Sequence, residues 1–162
     1  ILKNYIPVCK MALRTHSSTA VEKYSQEAAD KCVPLDSEFI KEAIPLFTQI
    51  HHCGSVLAEV FFAMMISRIL YGSVPAPGTM VIFSILLATC SIGTPGLPWG
   101  TVMVSLGTLT GILKFGDSGM ALMFAVFALN DAFAAACNAT CDGAAALFLT
   151  GYVKRHDFSN RL

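Results

Sequence analysis

The chain has 162 residues, 54% hydrophobic and 14% charged, with a mean hydropathy of +0.61 and a formal net charge of zero. It is too apolar and too poor in charge for an average soluble domain, and its long charge-poor stretches bounded by polar ends are what a bilayer selects. With no net positive charge and no basic stripe interleaved with aromatics it lacks the footprint of a nucleic-acid binder, and its six cysteines show neither C-x-x-C nor zinc-finger spacing.

In chain order, residues 1–13 form an apolar arm, about 20 Å long if helical at ~1.5 Å per residue and too short to span, which ends in the polar cluster RTHSST at 14–19. With no initiator methionine and no charged region before a cleavage site, the chain is expected to be a fragment without a signal peptide. Residues 19–42 are polar and acidic, and the stretch DKCVPLDSEF reads as a solvated connection. From residue 43 the chain is apolar, is interrupted by HHCGS at 51–55, and resumes over 56–71, which predicts one spanning helix with a polar break near its middle. Glu59 and Arg68 on that helix point to nearly opposite sides and are not expected to pair. The prolines and glycines of GSVPAPG, 72–78, mark a turn.

Two apolar runs, 80–88 and 101–113, flank CSIGTPGLPWG at 90–100, which puts glycines and prolines where a span should be helical. After the polar turn KFGDSG, 114–119, the last segment covers 120–152. As a continuous helix it would run about 50 Å, longer than a hydrocarbon core of ~30 Å, so it is expected to tilt, protrude or break. Lys154, Arg155 and Arg161 follow it and predict a cytoplasmic C-terminus. Cys137 and Cys141 share a helix face, where small-residue packing is favoured over metal ligation.

Asp131, Asn138 and Asp142 lie in the last segment and fall within about 40° of one another at ~100° per residue. An intramembrane carboxylate costs several kcal/mol unless paired or hydrated, so such a stripe usually lines an ion or substrate path. Asn138 taken alone reads better as helix glue, its side chain bonded to a neighbouring helix. The chain also divides into two similar halves, 1–71 and 80–152, each with an arm, a polar break, a second arm and a long interrupted helix. Paired interruptions are the sequence pointer to a secondary transporter, because unwound backbone at mid-membrane survives only where it is buried or lines a cavity. The expected fold is an all-α membrane protein with two re-entrant helical hairpins and two interrupted transmembrane helices in an inverted repeat. Its parts are a first hairpin and polar connection (1–42), an interrupted helix (43–73), a second hairpin (79–118), a last helix (119–153) and a polar tail (154–162).

SIGTPGLPWG resembles the second hairpin tip of the dicarboxylate/amino acid:cation symporter family, whose members read S-I-G-T-A-G-V-P-G, and NDAFAAACNATCDGAAA resembles that family's last helix. HHCGS falls where the family has N-M-D-G-T, and RTHSST where it has a serine-rich first tip. The resemblance implies a C-terminal transport core whose scaffold helices, which build a homotrimer in the family, are absent. It implies that Asp142 gives its carboxylate to one sodium ion, with backbone carbonyls of Asn138 and of the break near His51, and that carbonyls of Ser91, Ile92 and Thr94 hold a second. Oxygen ligands suit such a hard cation. Asp131 would hold the amino group of an amino-acid substrate; Asn138, Ser18 and the second tip near Leu97 would hold its carboxylate, with Ser55 joining the substrate site.

Several positions depart from the family pattern. Ala134 stands where members that take acidic substrates carry arginine, and Ala135 where threonine is usual. Alanine cannot pair a side-chain carboxylate, so a neutral amino acid becomes the better substrate unless His16 supplies the charge. Cys53 replaces an aspartate and His51 an asparagine, which removes hard oxygen ligands from a further sodium site. The two histidines of the break are read chiefly as hydrogen-bonding its exposed carbonyls, with proton coupling the alternative. Glu22 and Lys23 lie in the first hairpin's second arm where the family is apolar, and Trp99 replaces a small residue at the second tip.

The leading expectation is sodium-coupled symport of a small, neutral amino acid or related carboxylate by an elevator-like movement in the plasma (cell inner) membrane. Sodium is the coupling ion, and no other cofactor and no covalent chemistry are expected. One alternative is a non-transporting or truncated homologue with a regulatory or structural role. Another is an intramembrane metalloenzyme built on His51, His52, Cys53 and Asp131, which lacks any motif of the H-E-x-x-H kind.

Overall fold

The computed structural model describes residues 2–32, 37–92, 94 and 99–155, and all regular structure among them is helical. Helix α1 (Leu2–Thr15) stops at His16, which sits in the left-handed region at φ 53° and donates its backbone N–H to Ala12 at 2.9 Å. Histidine tolerates that conformation better than most side chains. Ser17 then caps a short 3-10 turn (Thr19–Val21) by accepting the Ala20 amide at 3.2 Å, and α2 (Glu22–Asp30) returns along α1. Asn4 donates to the Lys31 carbonyl at 3.2 Å and Tyr5 Oη to the Ser25 carbonyl at 3.2 Å, which fixes the two helices as an antiparallel pair.

Helices α3 (Ser37–Ile50) and α4 (Cys53–Tyr71) are separated only by His51 and His52. Together they form a stretch, Glu38–Tyr71, long and apolar enough to cross a membrane. Glu22, whose charge stood out in the sequence, accepts a hydrogen bond from Thr48 of α3 at 3.0 Å. Helix α4 ends on Gly72 at φ 78°, a left-handed cap that favours glycine, and the Arg68 guanidinium reaches the Gly72 carbonyl rather than Glu59. Pro77 opens α5 (Pro77–Ser91), where its missing N–H costs no helical bond. Helix α6 (Gly100–Gly111) starts after Trp99, another left-handed residue at φ 63°, and packs against α5.

The last helix, α7 (Asp117–Arg155), corrects one expectation. Predicted to be interrupted like its counterpart, it is continuous, roughly 58 Å long at ~1.5 Å per residue. It contains no proline, its glycines are isolated, and the alanine-rich middle favours helix throughout. The described residues 117–153 make it the second stretch able to span a bilayer.

Two cores divide this long helix. Tyr5, Val8, Ala12, Ala28, Ile40 and Ile44 from α1–α3 pack around Ala139 and Ala146 of α7. Phe83, Leu87, Val102 and Leu109 from α5 and α6 pack with Ala63 and Ile66 of α4 around Met123 and Phe127. Large apolar residues such as Leu57, Phe61, Ile85, Leu129 and Phe148 face outward, as a lipid-facing surface requires.

Candidate functional site

Between the two cores the face of α7 turns polar. Asp131, Asn138 and Asp142 are 5%, 3% and 0% exposed, so the stripe predicted from helical period is buried in protein. It lies against the break between α3 and α4, and one close approach makes that possible. A Cβ on Gly54 would sit 2.5 Å from Cys137 Cβ and 2.6 Å from the Ala134 carbonyl oxygen, so only glycine lets α4 begin this near α7.

The break leaves the first amides of α4 without intrahelical acceptors, and His52 at the N-cap makes no side-chain cap bond. Asn138 supplies the cap from the other helix. Its Oδ1 accepts the amides of Gly54 at 2.7 Å and Ser55 at 3.3 Å, while its Nδ2 donates to Ser55 Oγ at 2.9 Å. Both ends of the side chain thus join α4 to α7, the helix-glue role read for Asn138 alone. Ser55, itself 6% exposed, belongs to the same knot.

Asp142 Oδ1 lies 2.9 Å from Nδ1 of His51, and its Oδ2 has no partner among the described residues. His52 Nε2 instead meets the Gln49 carbonyl at 3.2 Å. The two histidines therefore divide: His52 satisfies a carbonyl of the break as read from the sequence, whereas His51 engages the carboxylate. Asp131 Oδ2 is likewise unpartnered among the described residues, and the Trp99 backbone reaches this carboxylate. Buried carboxylate oxygens without donors are what a cation or an ammonium group would satisfy.

The remaining predicted residues are placed as follows. Ser18 is buried at the turn between α1 and α2, where its carbonyl accepts the Val21 amide. Ser91 and Thr94 are buried and Ile92 is exposed; the Ser91 carbonyl, expected to face a cation, accepts the Thr94 amide at 3.1 Å. Leu97 lies outside the described residues. A cavity of about 500 Å³ runs from the end of α5 to the break, lined by Ile50, His51, His52, Cys53, Ser91 and Ile92 among others. The metalloenzyme alternative finds no geometry: His51, His52, Cys53 and Asp131 do not converge, and no group of three or more such side chains among the described residues is placed to hold a metal.

One buried acid was passed over in the sequence except to exclude its pairing with Arg68. Glu59 is 0% exposed, accepts a hydrogen bond from Ser105 of α6, and keeps Oε2 without a partner among the described residues. The signal was present, since a lone carboxylate in an apolar span is a functional candidate by default.

The model of the sodium:dicarboxylate symporter family matches residues 1–151. No curated protein and no solved structure matches the chain.

Proposed function

The chain belongs to the sodium:dicarboxylate symporter family, a family of membrane transport proteins, and from that premise we propose that it is the transport core of a sodium-coupled symporter for a small neutral amino acid or a related carboxylate. In this reading α1–α2 and α5–α6 are re-entrant hairpins, related in an inverted repeat with the two long helical spans. The full assembly is a trimer in the plasma (cell inner) membrane, with the C-terminus cytoplasmic. The bilayer and the small substrate are its partners.

The observation that carries the proposal is the buried polar face of α7, with oxygens on Asp131 and Asp142 that have no partner among the described residues, at the seam between two apolar cores. Asp131 takes the substrate ammonium group, and Ser18, Ser55, Asn138 and the segment at Leu97 form the surroundings of its carboxylate. Asp142 offers a buried anionic oxygen to sodium. A second sodium takes the carbonyls of Ser91, Ile92 and Thr94. The Ser91 carbonyl that already accepts the Thr94 amide then shares its oxygen with the cation, so that cation binding and the conformation of the α5–α6 tip are linked. Alanine at 134 leaves no cation there for a second substrate carboxylate, which favours a neutral amino acid.

Coupling of this kind is thermodynamic linkage: cations that stabilise the closed tip raise substrate affinity by the same factor that substrate raises theirs, typically ~1–3 kcal/mol. The core then moves as one body relative to its scaffold, in the manner of an elevator. The test is uptake of radiolabelled amino acids and dicarboxylates into proteoliposomes with and without a sodium gradient. Sodium-driven uptake of a neutral amino acid is expected. Absence of uptake of every compound in folded protein would leave a non-transporting homologue, and preference for a dicarboxylate would overturn the assignment built on Ala134.

A further inference from the structure

Asp142 is the more deeply buried carboxylate of the α7 stripe, and its two oxygens are treated differently. Oδ1 faces His51 Nδ1 at 2.9 Å, while Oδ2 has no partner among the described residues. An ionised carboxylate only accepts, so in the charged state that a cation requires, Nδ1 carries the hydrogen of this bond. A hydrogen on Oδ1 draws charge from the carboxylate and leaves only Oδ2 open, so a cation that takes both oxygens has to displace it. Among the described residues, the Cys53 thiol of α4 and the Tyr5 phenol of α1 also face Asp142.

The imidazole is not locked in place. The His51 side chain is 33% exposed, whereas Asp142 is 0% exposed. His51 also lines the cavity of about 500 Å³ beside the break. Rotation about its side-chain torsions moves the ring between the carboxylate and this space, and staggered alternatives of that kind are available to histidine at low cost. His51 follows the last residue of α3, and its ring meets that helix edge-on at Phe47, with centroids 6.4 Å apart.

Resting on the reading of Asp142 as a sodium ligand, we infer that His51 is a tethered competitor for sodium, its Nδ1–H holding the Asp142 carboxylate until the cation displaces the ring into the adjoining cavity. The competition weakens sodium binding at this site without abolishing it. His51 is thus a specificity-determining residue for the coupling ion, setting how much sodium the site needs.

Sodium-minus-choline infrared difference spectra of the full chain in lipid bilayers read this site directly, since a bound cation shifts a carboxylate stretch. The band assigned to Asp142 is the one missing in Asp142→Asn. Its sodium half-saturation is expected to fall about tenfold in His51→Asn and His51→Ala, the worth of roughly one hydrogen bond to a charged group. In the unsubstituted chain, imidazole ring bands are expected to shift over the same sodium range. Half-saturation that stays the same or rises in both His51 variants overturns the inference while leaving Asp142 as a ligand. A sodium difference spectrum unchanged by Asp142→Asn overturns the reading of Asp142 itself, and the inference with it.

Discussion

The two cores along α7 solve the same packing problem with different residues. Around the second half of the helix half of the buried partners are alanines, Ala12, Ala28, Ala29, Ala139 and Ala146, beside Ile40 and Ile44, and the Tyr5 ring lies across Gly143. Around the first half they are bulky, with Phe83, Phe115, Met123 and Phe127 filling the space between α4, α5 and α6. In lipid, where apolar surface gains little from leaving the solvent, close contact is the main source of association, and small residues achieve it by bringing backbones together. Bulky ones achieve it by filling volume. The polar stripe lies where one mode gives way to the other, so each core holds one wall of the site.

The comparison can be broken most severely in the bulky core. Phe83→Ala empties a fully buried position and is expected to cost about 3–5 kcal/mol, largely as a cavity that its neighbours cannot close; thermal unfolding in nanodiscs measures it. The next largest effect is expected where α4 meets the stripe. Gly54→Ala drives a Cβ into the Ala134 carbonyl and Cys137, an overpacking cost of ~1–3 kcal/mol. Gly143→Ala meets the Tyr5 ring first, so in a Tyr5→Ala background, which carries its own cavity cost, adding Gly143→Ala should cost much less than it does alone. No single side-chain truncation should relieve Gly54→Ala in that way, because the Ala134 carbonyl stands in its path as well as the Cys137 Cβ. If both glycine variants are rescued equally, the distinction between close backbone approach and ring packing fails.

The smallest of these effects concerns the seam itself. Asn138→Ala removes the acceptor from two amides of α4 and should cost about 1–2 kcal/mol, as loss of a helix cap does. Asn138→Asp keeps that acceptor for the two amides, although a third carboxylate on the buried stripe lowers the overall stability. Backbone amide exchange at Gly54 and Ser55 provides the local measurement: faster exchange is expected in the alanine variant and near-native protection in the aspartate one.

Much of this arrangement is legible in the sequence because it is periodic or punctuated. Proline and glycine mark the turn at 72–76, the polar HHCGS marks the break at His51–His52, and helical period alone places Asp131, Asn138 and Asp142 on one face. The continuity of α7 was not legible, because the length that suggests a break is equally compatible with a helix that tilts or protrudes. Contacts between residues distant in sequence leave no period to read. The capping of α4 by Asn138, the His51–Asp142 pair and the Glu59–Ser105 bond each depend on which helix lies opposite, a property of the packing of both cores.

The central claim is that this seam couples sodium to substrate, and substrate affinity measured as a function of sodium tests it most directly. With the amino acid found in the uptake screen, affinity in the unsubstituted chain should rise at least about fivefold between sodium-free and saturating conditions, the lower end of ordinary coupling. In Asp142→Asn that dependence should shrink while folding is retained. Substrate affinity that ignores sodium in the unsubstituted chain, or that responds equally in Asp142→Asn, would contradict the account.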